Sequence, residues 1–570
     1  MKDKGGCGLN DGRPASSTGG PASDRLPQPD SVPRLTPFVA PLLLLGVFGC
    51  RYAGGPLAAN PDRTIRAASA TPREQTADEQ VYHVLHRLAF GPRPGDVQRV
   101  RAIGVDTWMA EQLQPAPDSA QQRWRSRFPL LTATSTELLN AYPPTERQYP
   151  FLGELSAIRL TRAVRSPYQL EEVLVDFWHN HFNVFAGKDR ARYFLVPYDA
   201  RVIRPYAMGR FRDLLGAVAK SEAMLYYLDN WQSVADSGRP VLGSRGRRNA
   251  GRGIATAMPR PTARRRGLNE NYARELLELH TLGVDGGYTQ EDVINVARAL
   301  TGWTLAQGAQ GGGFVFRPTV HDAGEKIILG RRFPAGRGQD EGDAVLDLLA
   351  RHPKTATFIA PKLVRRFVSD TPPPALVTRA AATFLETDGD IRETVRTIVT
   401  SPEFFARRAF HAKVKSPFEL VVSAMRALDA DPDGTSRTAQ VVSRLGQPLF
   451  GHQAPNGYPE TGEAWMNTGA ILNRINFGLL VAGGRVPGVR LASWPRAREL
   501  AALPREAQVD GVIQELLGGF VSPDTREVLR TGANPLLQRL ATDSLPAADA
   551  PRGLAQLVGL ALGSPEFQRR

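Results

Sequence analysis

The stretch GLNENYARELLELHTLGVDGGYTQEDVINVARALTGWT, residues 267–304, decides the fold class. Asn269 is a residue type that caps helix N-termini, and Gly283 is one that ends helices. Thr289 and Asp292 have the spacing of a capping box, which begins a second helix after a short turn. The segment therefore predicts two consecutive helices, each with its own start and stop signals.

Helical periodicity of this kind recurs along most of the chain. Thr76, for example, is placed to cap a helix that carries apolar residues on one face. Strand-like alternation is rare; the best example is 312–318, which we expect to pair with 325–333 as a small hairpin. The prediction is a mainly α protein with one extended multi-helical core and a minor β-hairpin near 312–333.

The first of the two quoted helices carries a regular polar stripe. Asn271, Arg274, Glu275 and Glu278 follow i, i+3, i+4 and i+7 spacing, so they share one face. Such a stripe is either a solvated surface or the wall of a functional site. In the second interpretation Arg274, Glu275 and Glu278 are candidate catalytic residues, with Glu275 or Glu278 as the proton carrier.

A dense aromatic run, DFWHNHFNVF at 176–185, holds two histidines in a row of apolar residues. If its helix continues, His179 and His181 lie about 200° apart and cannot bind one small ion. If the helix ends near Trp178 and the chain extends, the two imidazoles point the same way and can chelate a metal. Besides metal or haem ligation, two alternatives remain: a histidine that acts as general acid or base or contacts substrate, and histidines that only form hydrogen bonds in the core.

Three more residues complete a candidate metal site. His280 ends the striped helix, and His321 with Asp322 lies in a glycine-flanked loop. Together with His179 and His181 they would supply nitrogen and carboxylate ligands suited to Zn, Fe or Mn. HExxH, P-loop, GxSxG and CxxCH motifs are absent from the sequence, which argues against standard zincins, NTPases, α/β-hydrolases and c-type cytochromes.

Composition is that of a folded protein, with 42% hydrophobic and 22% charged residues among 570. The net charge of +14 is concentrated in 239–266, where nine arginines and no acidic residue form a predicted mobile surface insertion. Because no nucleic-acid-binding motif accompanies this charge, nucleic acid is an unlikely partner. Both cysteines, Cys7 and Cys50, lie outside the predicted folded body.

The N-terminus predicts export. An apolar segment before Cys50 has signal-peptide length, so residues 1–49 are interpreted as a signal peptide. The part of it that precedes Arg34 is unusually long. In one alternative Cys50 becomes the lipidated first residue of an envelope or periplasmic lipoprotein. In the other, cleavage near Ala53 or Ala58 releases a secreted protein. Residues 50–77 are predicted to be a tether and 78–570 the helical domain.

Several segments together resemble DUF1800, a bacterial family of uncharacterised proteins. They include HRLAFGPRPGDV (86–97), FWHNHFNVF (177–185), the 269–304 segment, KSPFELVVSAMRAL (415–428) and LGQPLFGHQAPNGYPE (445–460). The resemblance implies a mainly helical exported protein, often found beside an exported sulfatase-like partner. It implies no agreed reaction and no catalytic residues. The 445–460 segment is either a rigid loop over a cleft or ordinary connecting chain.

Three functions follow from these observations. The leading one is a metal-dependent enzyme, hydrolytic or oxidative, acting on an envelope or extracellular polymer. Its rival is a non-catalytic surface scaffold or polysaccharide-binding protein, in which Trp178, Tyr272 and Trp303 fill the core or contact sugar rings. A haem-binding oxidase is the third.

Overall fold

The computed structural model describes residues 72–116, 124, 126–145, 148–242, 267–532 and 552–570. The predicted signal peptide with Cys7, nearly all of the predicted tether with Cys50, and residues 243–266 of the predicted arginine-rich insertion lie outside these described residues. Within them, no helix combines the length and the apolar character needed to cross a membrane.

The described part of the chain is built almost entirely from α-helices, as predicted. The first eleven are α1 Ala77–Arg87, α2 Asp96–Ile103, α3 Val105–Leu113, α4 Ser135–Ala141, α5 Pro150–Arg165, α6 Gln169–His181, α7 Ala191–Pro197, α8 Phe211–Ala219, α9 Glu222–Tyr227, α10 Glu270–Glu275 and α11 Gln290–Ala299. The next eleven are α12 Gln339–Ala350, α13 Pro353–Phe367, α14 Pro374–Glu386, α15 Ile391–Val399, α16 Pro417–Ala427, α17 Ser436–Arg444, α18 Thr468–Ala482, α19 Ala497–Ala501, α20 Arg505–Leu517, α21 Pro523–Thr531 and α22 Leu554–Gly563.

Two π-helical segments extend α-helices. Tyr198–Ile203 follows α7 directly, and Leu276–Thr281 follows α10. Segments of this kind widen the helix by one residue per turn and are often found at functional sites. Both of them contact the end of α6, as described below.

The start and stop signals read from the sequence are confirmed. The side chain of Asn269 accepts a hydrogen bond from the Tyr272 amide, and Thr289 forms a reciprocal capping box with Asp292. Thr76 caps α1 in the same way, with Glu79 as its partner. Gly283 has φ +84°, the left-handed conformation that ends a helix and favours glycine.

The minor β structure is present, but the predicted pairing of 312–318 with 325–333 is wrong. Strand β1, Trp303–Leu305, pairs with β2, Phe314–Phe316, and strand β3, Lys326–Ile328, pairs with β4, Arg331–Phe333. The reason lies in the Leu329-Gly330 turn, where both residues have positive φ. Such a two-residue turn closes a hairpin within 326–333, so this segment has no free edge for β2 on that side.

One hydrophobic cluster runs through the described residues from Val81 to Phe567. Trp178, Tyr272 and Trp303 are buried within it, so these three aromatic residues fill the core and do not face a ligand. Helix α6 is central: most of its residues from Gln169 to His181 are buried. This burial holds the polar side chains at its C-terminal end in fixed positions.

Candidate functional site

The aromatic run at 176–185 is helical through its two histidines. Because α6 ends only at His181, the extended His-x-His arrangement that would chelate a metal is not formed. His179 and His181 instead point to different partners on the two π-helical segments. The aromatic run thus contacts both π-helical segments, one through His179 and the other through His181.

His179 forms a buried pair with Asp199. Its Nε2 lies 2.9 Å from Oδ1 of Asp199, which belongs to the π-helical segment Tyr198–Ile203. Burial, and then the charge of Arg159, lower the pKa of His179 to about 4, so the ring is neutral at pH 7. Burial alone would raise the pKa of Asp199, but Arg204 and His179 hold it well below its usual range. An ionised carboxylate therefore orients a neutral imidazole.

His181 contacts the second π-helical segment. Its Nε2 donates to the carbonyl oxygen of His280 at 3.2 Å, and the two rings are 6.4 Å apart. Lys362 Nζ lies 3.4 Å from His181 Nδ1, and burial lowers the pKa of this lysine to about 8. Burial lowers the pKa of His280 to about 3, and its Nε2 has no hydrogen-bond partner within the described part of the chain.

His321 and Asp322 belong to a different buried network. His321 Nδ1 is 2.8 Å from the Thr301 carbonyl oxygen, and its Nε2 lies 3.3 Å from Glu341. Asp322 forms a bidentate pair with Arg298, at 2.8 and 3.2 Å. These contacts tie the loop before β3 to α11 and α12, and they do not bring His321 to His179 or His181.

The polar stripe of α10 forms contacts at the surface. Arg274 lies 3.5 Å from Glu278 and donates to Gln290 at 2.7 Å, with about a third of its side chain exposed. Glu275 is half-buried, and burial followed by the charge of Glu278 raises its pKa. None of Arg274, Glu275 and Glu278 lines the pocket described next.

Of the five predicted metal ligands, the structure brings only His181 and His280 near each other, while His179, His321 and Asp322 have partners elsewhere. Among the described residues, no group of three or more His, Cys, Asp or Glu side chains is arranged to hold a metal ion.

A small polar pocket opens beside the C-terminal half of α6, where Asp176, His179 and Asn180 line it. The centres of water molecules can occupy a volume of about 50 Å³ in this pocket, which is enough for a few waters. Three arginines and three carboxylates line it together with His179; the six are Arg159, Arg366, Arg570, Asp176, Glu419 and Glu460. The three arginines are buried, and so is Glu419.

Arg366 joins the three carboxylates of the pocket. Its guanidinium lies 3.4 Å from Asp176, 3.0 Å from Glu419 and 3.8 Å from Glu460. Arg159 pairs with Asp176 at 2.9 Å, and Arg570 with Glu419 at 3.0 Å. The network thereby connects α5, α6, α13, α16 and the segment after α22.

The two inner carboxyls have pKa values shifted in opposite directions. Burial raises the pKa of Asp176, against the opposing charges of Arg366 and Arg159. Burial would also raise the pKa of Glu419, but Arg570 and Arg366 lower it to about 2. The pocket thus presents two carboxyls of different acidity a short distance apart.

The two asparagines of the aromatic run hold the 445–460 segment over this pocket. Asn180 donates to the Tyr458 carbonyl oxygen at 2.8 Å and accepts from the Tyr458 amide at 2.7 Å. Asn183 donates to the carbonyl oxygens of His452 and Ala454. Gly457 has φ +74°, and a Cβ there would lie 2.2 Å from the Asn180 carbonyl oxygen, so the close contact requires glycine.

Aromatic rings stand at the rim. Tyr458 and Trp465 both line the pocket, with ring centroids 5.9 Å apart, and both are partly exposed. The segment 445–460 therefore forms part of the wall of this pocket.

The sequence analysis missed most of this site. Arg366 and Glu419 lie at buried positions within helices, and Asp176 lies within the aromatic run itself. Charged residues at buried helix positions were the available signal, since such residues are rarely buried without partners.

A comparison with family models matches residues 83–569 to "Protein of unknown function (DUF1800)". The match spans most of the chain and agrees with the resemblance of its segments. No curated protein matches the chain, and no solved structure does.

Proposed function

We propose that this chain, a member of the DUF1800 family, is an exported envelope protein that binds a saccharide unit in the polar pocket. The saccharide would belong to an envelope or extracellular polymer. The observation that carries the proposal is a charge-balanced, preorganised polar pocket with aromatic rings at its rim.

The charge balance favours a neutral, hydroxyl-rich ligand. Three arginines face three carboxylates, and His179 is neutral at pH 7, so the lining has no excess charge to attract a strongly anionic or cationic ligand. Guanidinium, carboxylate and amide groups offer both donors and acceptors to hydroxyls. Because these groups are already paired with one another, little side-chain entropy is lost when a ligand binds.

The rim supports the same ligand class. Tyr458 and Trp465 offer amphipathic rings on which the apolar face of a sugar can lie, while polar groups below fix its orientation. The pocket itself holds only a few water molecules, so one or two hydroxyls of a terminal or exposed sugar unit would enter it, and the rest of the polymer would stay outside.

The cellular location belongs to the proposal. The apolar segment before Cys50 supports export, with a lipid on Cys50 or simple secretion as the two alternatives. Export would place the pocket where bacterial polysaccharides are found.

The test is binding to an oligosaccharide panel, comparing the wild type with Trp465→Ala. We expect at least one oligosaccharide class to bind, and the variant to weaken that binding about tenfold or more, because an aromatic contact at the rim is lost. Trp231→Ala is the matched control: Trp231 is also partly buried but does not line the pocket, so its loss should leave affinity unchanged. Equal weakening in both variants, or no binding at all, would contradict the proposal.

The His179–Asp199 pair favours a second candidate, hydrolysis of the bound polymer. A neutral imidazole oriented by an ionised carboxylate is the arrangement that hydrolases use for a general base. His179 would take a proton from the water that attacks the bond to be broken and would pass a proton to the leaving oxygen, in place of the Glu275 or Glu278 expected from the sequence. His179→Gln should then retain oligosaccharide binding while losing release of new chain ends; unchanged release would remove this candidate.

A further inference from the structure

A second, larger hollow adjoins the polar pocket. The centres of water molecules can occupy about 450 Å³ of this hollow, and its lining is mainly apolar. Helices α18, α21 and α22 supply the apolar side chains, which include Ile471, Ile475, Val528, Leu529 and Leu560. A hollow of this size and character suits a flexible hydrocarbon chain.

The hollow and the polar pocket lie on two sides of one thin partition. Val414 lines both of them. Trp465 and Arg570 line the polar pocket, while their chain neighbours Met466 and Arg569 line the apolar hollow. Since consecutive Cα atoms are only about 3.8 Å apart, the partition is about one chain thick.

Backbone pairing keeps the partition in place. The Lys413 amide donates to the Arg570 carbonyl oxygen at 3.1 Å, and the Arg570 amide donates back at 2.8 Å. The Lys415 amide donates to the Gln568 carbonyl oxygen at 2.9 Å. The two hollows are therefore held at a fixed separation by a short antiparallel ladder.

The apolar floor is rigid as well. Helices α18 and α22 cross at Gly478 and Gly559, where a Cβ on Gly478 would lie 2.4 Å from the Gly559 carbonyl oxygen. Only glycine allows the backbones to approach this closely. This close contact fixes the position of α18 against α22, two of the three helices that line the hollow.

We propose that the ligand is an amphiphilic glycoconjugate, whose saccharide lies in the polar pocket and whose acyl chain lies in the hollow between α18, α21 and α22. This inference rests on the proposed saccharide binding and names its substrate class. The adjacency of one polar and one apolar hollow across Val414 carries it.

Polar groups at the edge of the hollow fit the junction of such a ligand. Arg474 is buried, and donates to Gln568 at 2.9 Å and to the Lys415 carbonyl oxygen at 2.7 Å. Arg569 also lines the hollow and is exposed. Arg474 thus contacts the partition through Gln568 and Lys415, on the side of the hollow where the head and the chain of the proposed ligand would join.

The test measures binding of β-glucosides and β-N-acetylglucosaminides that carry methyl, hexyl, octyl or decyl groups, below their aggregation concentrations. Each buried methylene should raise affinity about fourfold until the hollow is filled. Ile471→Trp and Ile475→Trp place bulk in the hollow and should abolish this dependence without changing methyl glycoside binding. Val284→Trp, at a site 71% exposed and outside both hollows, is the control.

The outcomes separate the two proposals. Methyl glycosides that bind as well as decyl glycosides would overturn the acyl-chain inference and leave saccharide binding intact. A second outcome is that affinity rises with chain length but is unchanged in Trp465→Ala. This result would show an apolar site without a saccharide site, and would overturn the proposal of one ligand that fills both hollows. Absence of binding for the whole series, with wild-type folding verified by thermal melting, would overturn both.

Discussion

Mild acid should destabilise this protein strongly, because it buries neutral histidines. Five histidines are buried and have pKa values below the usual 6.5, chiefly through burial: His83, His86, His179, His181 and His280. Cations add to the effect, for example Lys415 near His86. At His83, burial and the charge of Arg87 lower the pKa, and a backbone hydrogen bond with Phe404 offsets only part of this effect.

The sign follows from proton linkage. A histidine whose folded-state pKa is lowered binds fewer protons in the folded than in the unfolded state between the two pKa values. At pH values above the unfolded-state pKa of about 6.5, the ring is neutral in both states, so its protonation does not lower the free energy of unfolding. As the pH falls from there towards the folded-state pKa, protonation of the unfolded chain lowers the free energy of unfolding.

The magnitude follows from the pKa values of His179 and His280, and His411, whose pKa burial lowers to about 4, adds to it. With pKa values of about 4 for His179 and about 3 for His280, each should contribute about 1.4 kcal/mol of destabilisation at pH 5.5. The pair thus removes about 3 kcal/mol, and the other three histidines act in the same direction. Lys415, with a pKa of about 7, also acts in this direction, whereas the raised pKa of Asp176 opposes it.

The assay is urea unfolding at pH 7.5 and pH 5.5. The wild type should lose about 3 kcal/mol or more of unfolding free energy between the two, whereas His280→Asn should lose about 1.4 kcal/mol less than the wild type. His452→Asn, which changes a histidine outside the buried set, should keep the full wild-type difference. Carboxylates with ordinary or lowered pKa values stay ionised in both states over this range, so they do not obscure the result. Equal wild-type stability at the two pH values would refute the reasoning.

Three further outcomes are expected. Arg366→Met should lower the unfolding free energy by about 3–5 kcal/mol in urea titrations, because it leaves three carboxylates of the pocket without their shared partner. Thr289→Ala should cost about 1 kcal/mol in the same measurement through loss of the capping box, and Thr289→Ser should restore most of it. Zn, Fe and Mn contents measured by mass spectrometry should be the same in the wild type and in His179→Ala/His181→Ala, since the two rings face different partners; a metal lost only from the double variant would contradict the geometry.

Local signals in the sequence predicted local structure well. A cap and the amide it accepts from lie three residues apart, so Asn269 and Thr289 were identifiable without knowing the fold. The mainly helical class followed from the repetition of such signals. The exact strand pairing did not, because 314–316 had two possible partners and only the Leu329-Gly330 turn excluded one of them.

The candidate site was harder to predict because its contacts are long-range. Arg570 meets Glu419 across 151 positions, and Asn180 meets Tyr458 across 278. Helical spacing places side chains on a face but does not say which faces meet. The two π-helical segments are a further obstacle, since their extra residue changes the face that Asp199 and His280 present, and no residue pattern in 198–203 or 276–281 marks it.

Two buried charge networks in this chain differ in a way that bears on function. In the first, Lys326, Glu341 and Asp322 are almost fully buried, joined by contacts such as the 2.7 Å pair of Lys326 and Glu341, and none lines the polar pocket. It links β3 to its neighbouring helices, a structural role that apolar residues of similar volume often fill equally well. The network around Arg366 also joins several helices, yet its charged groups border space open to water. Apolar residues of similar volume would stabilise the fold about as well as these buried charges beside an open pocket. A ligand that enters the pocket, as proposed above, would explain the position of the second network.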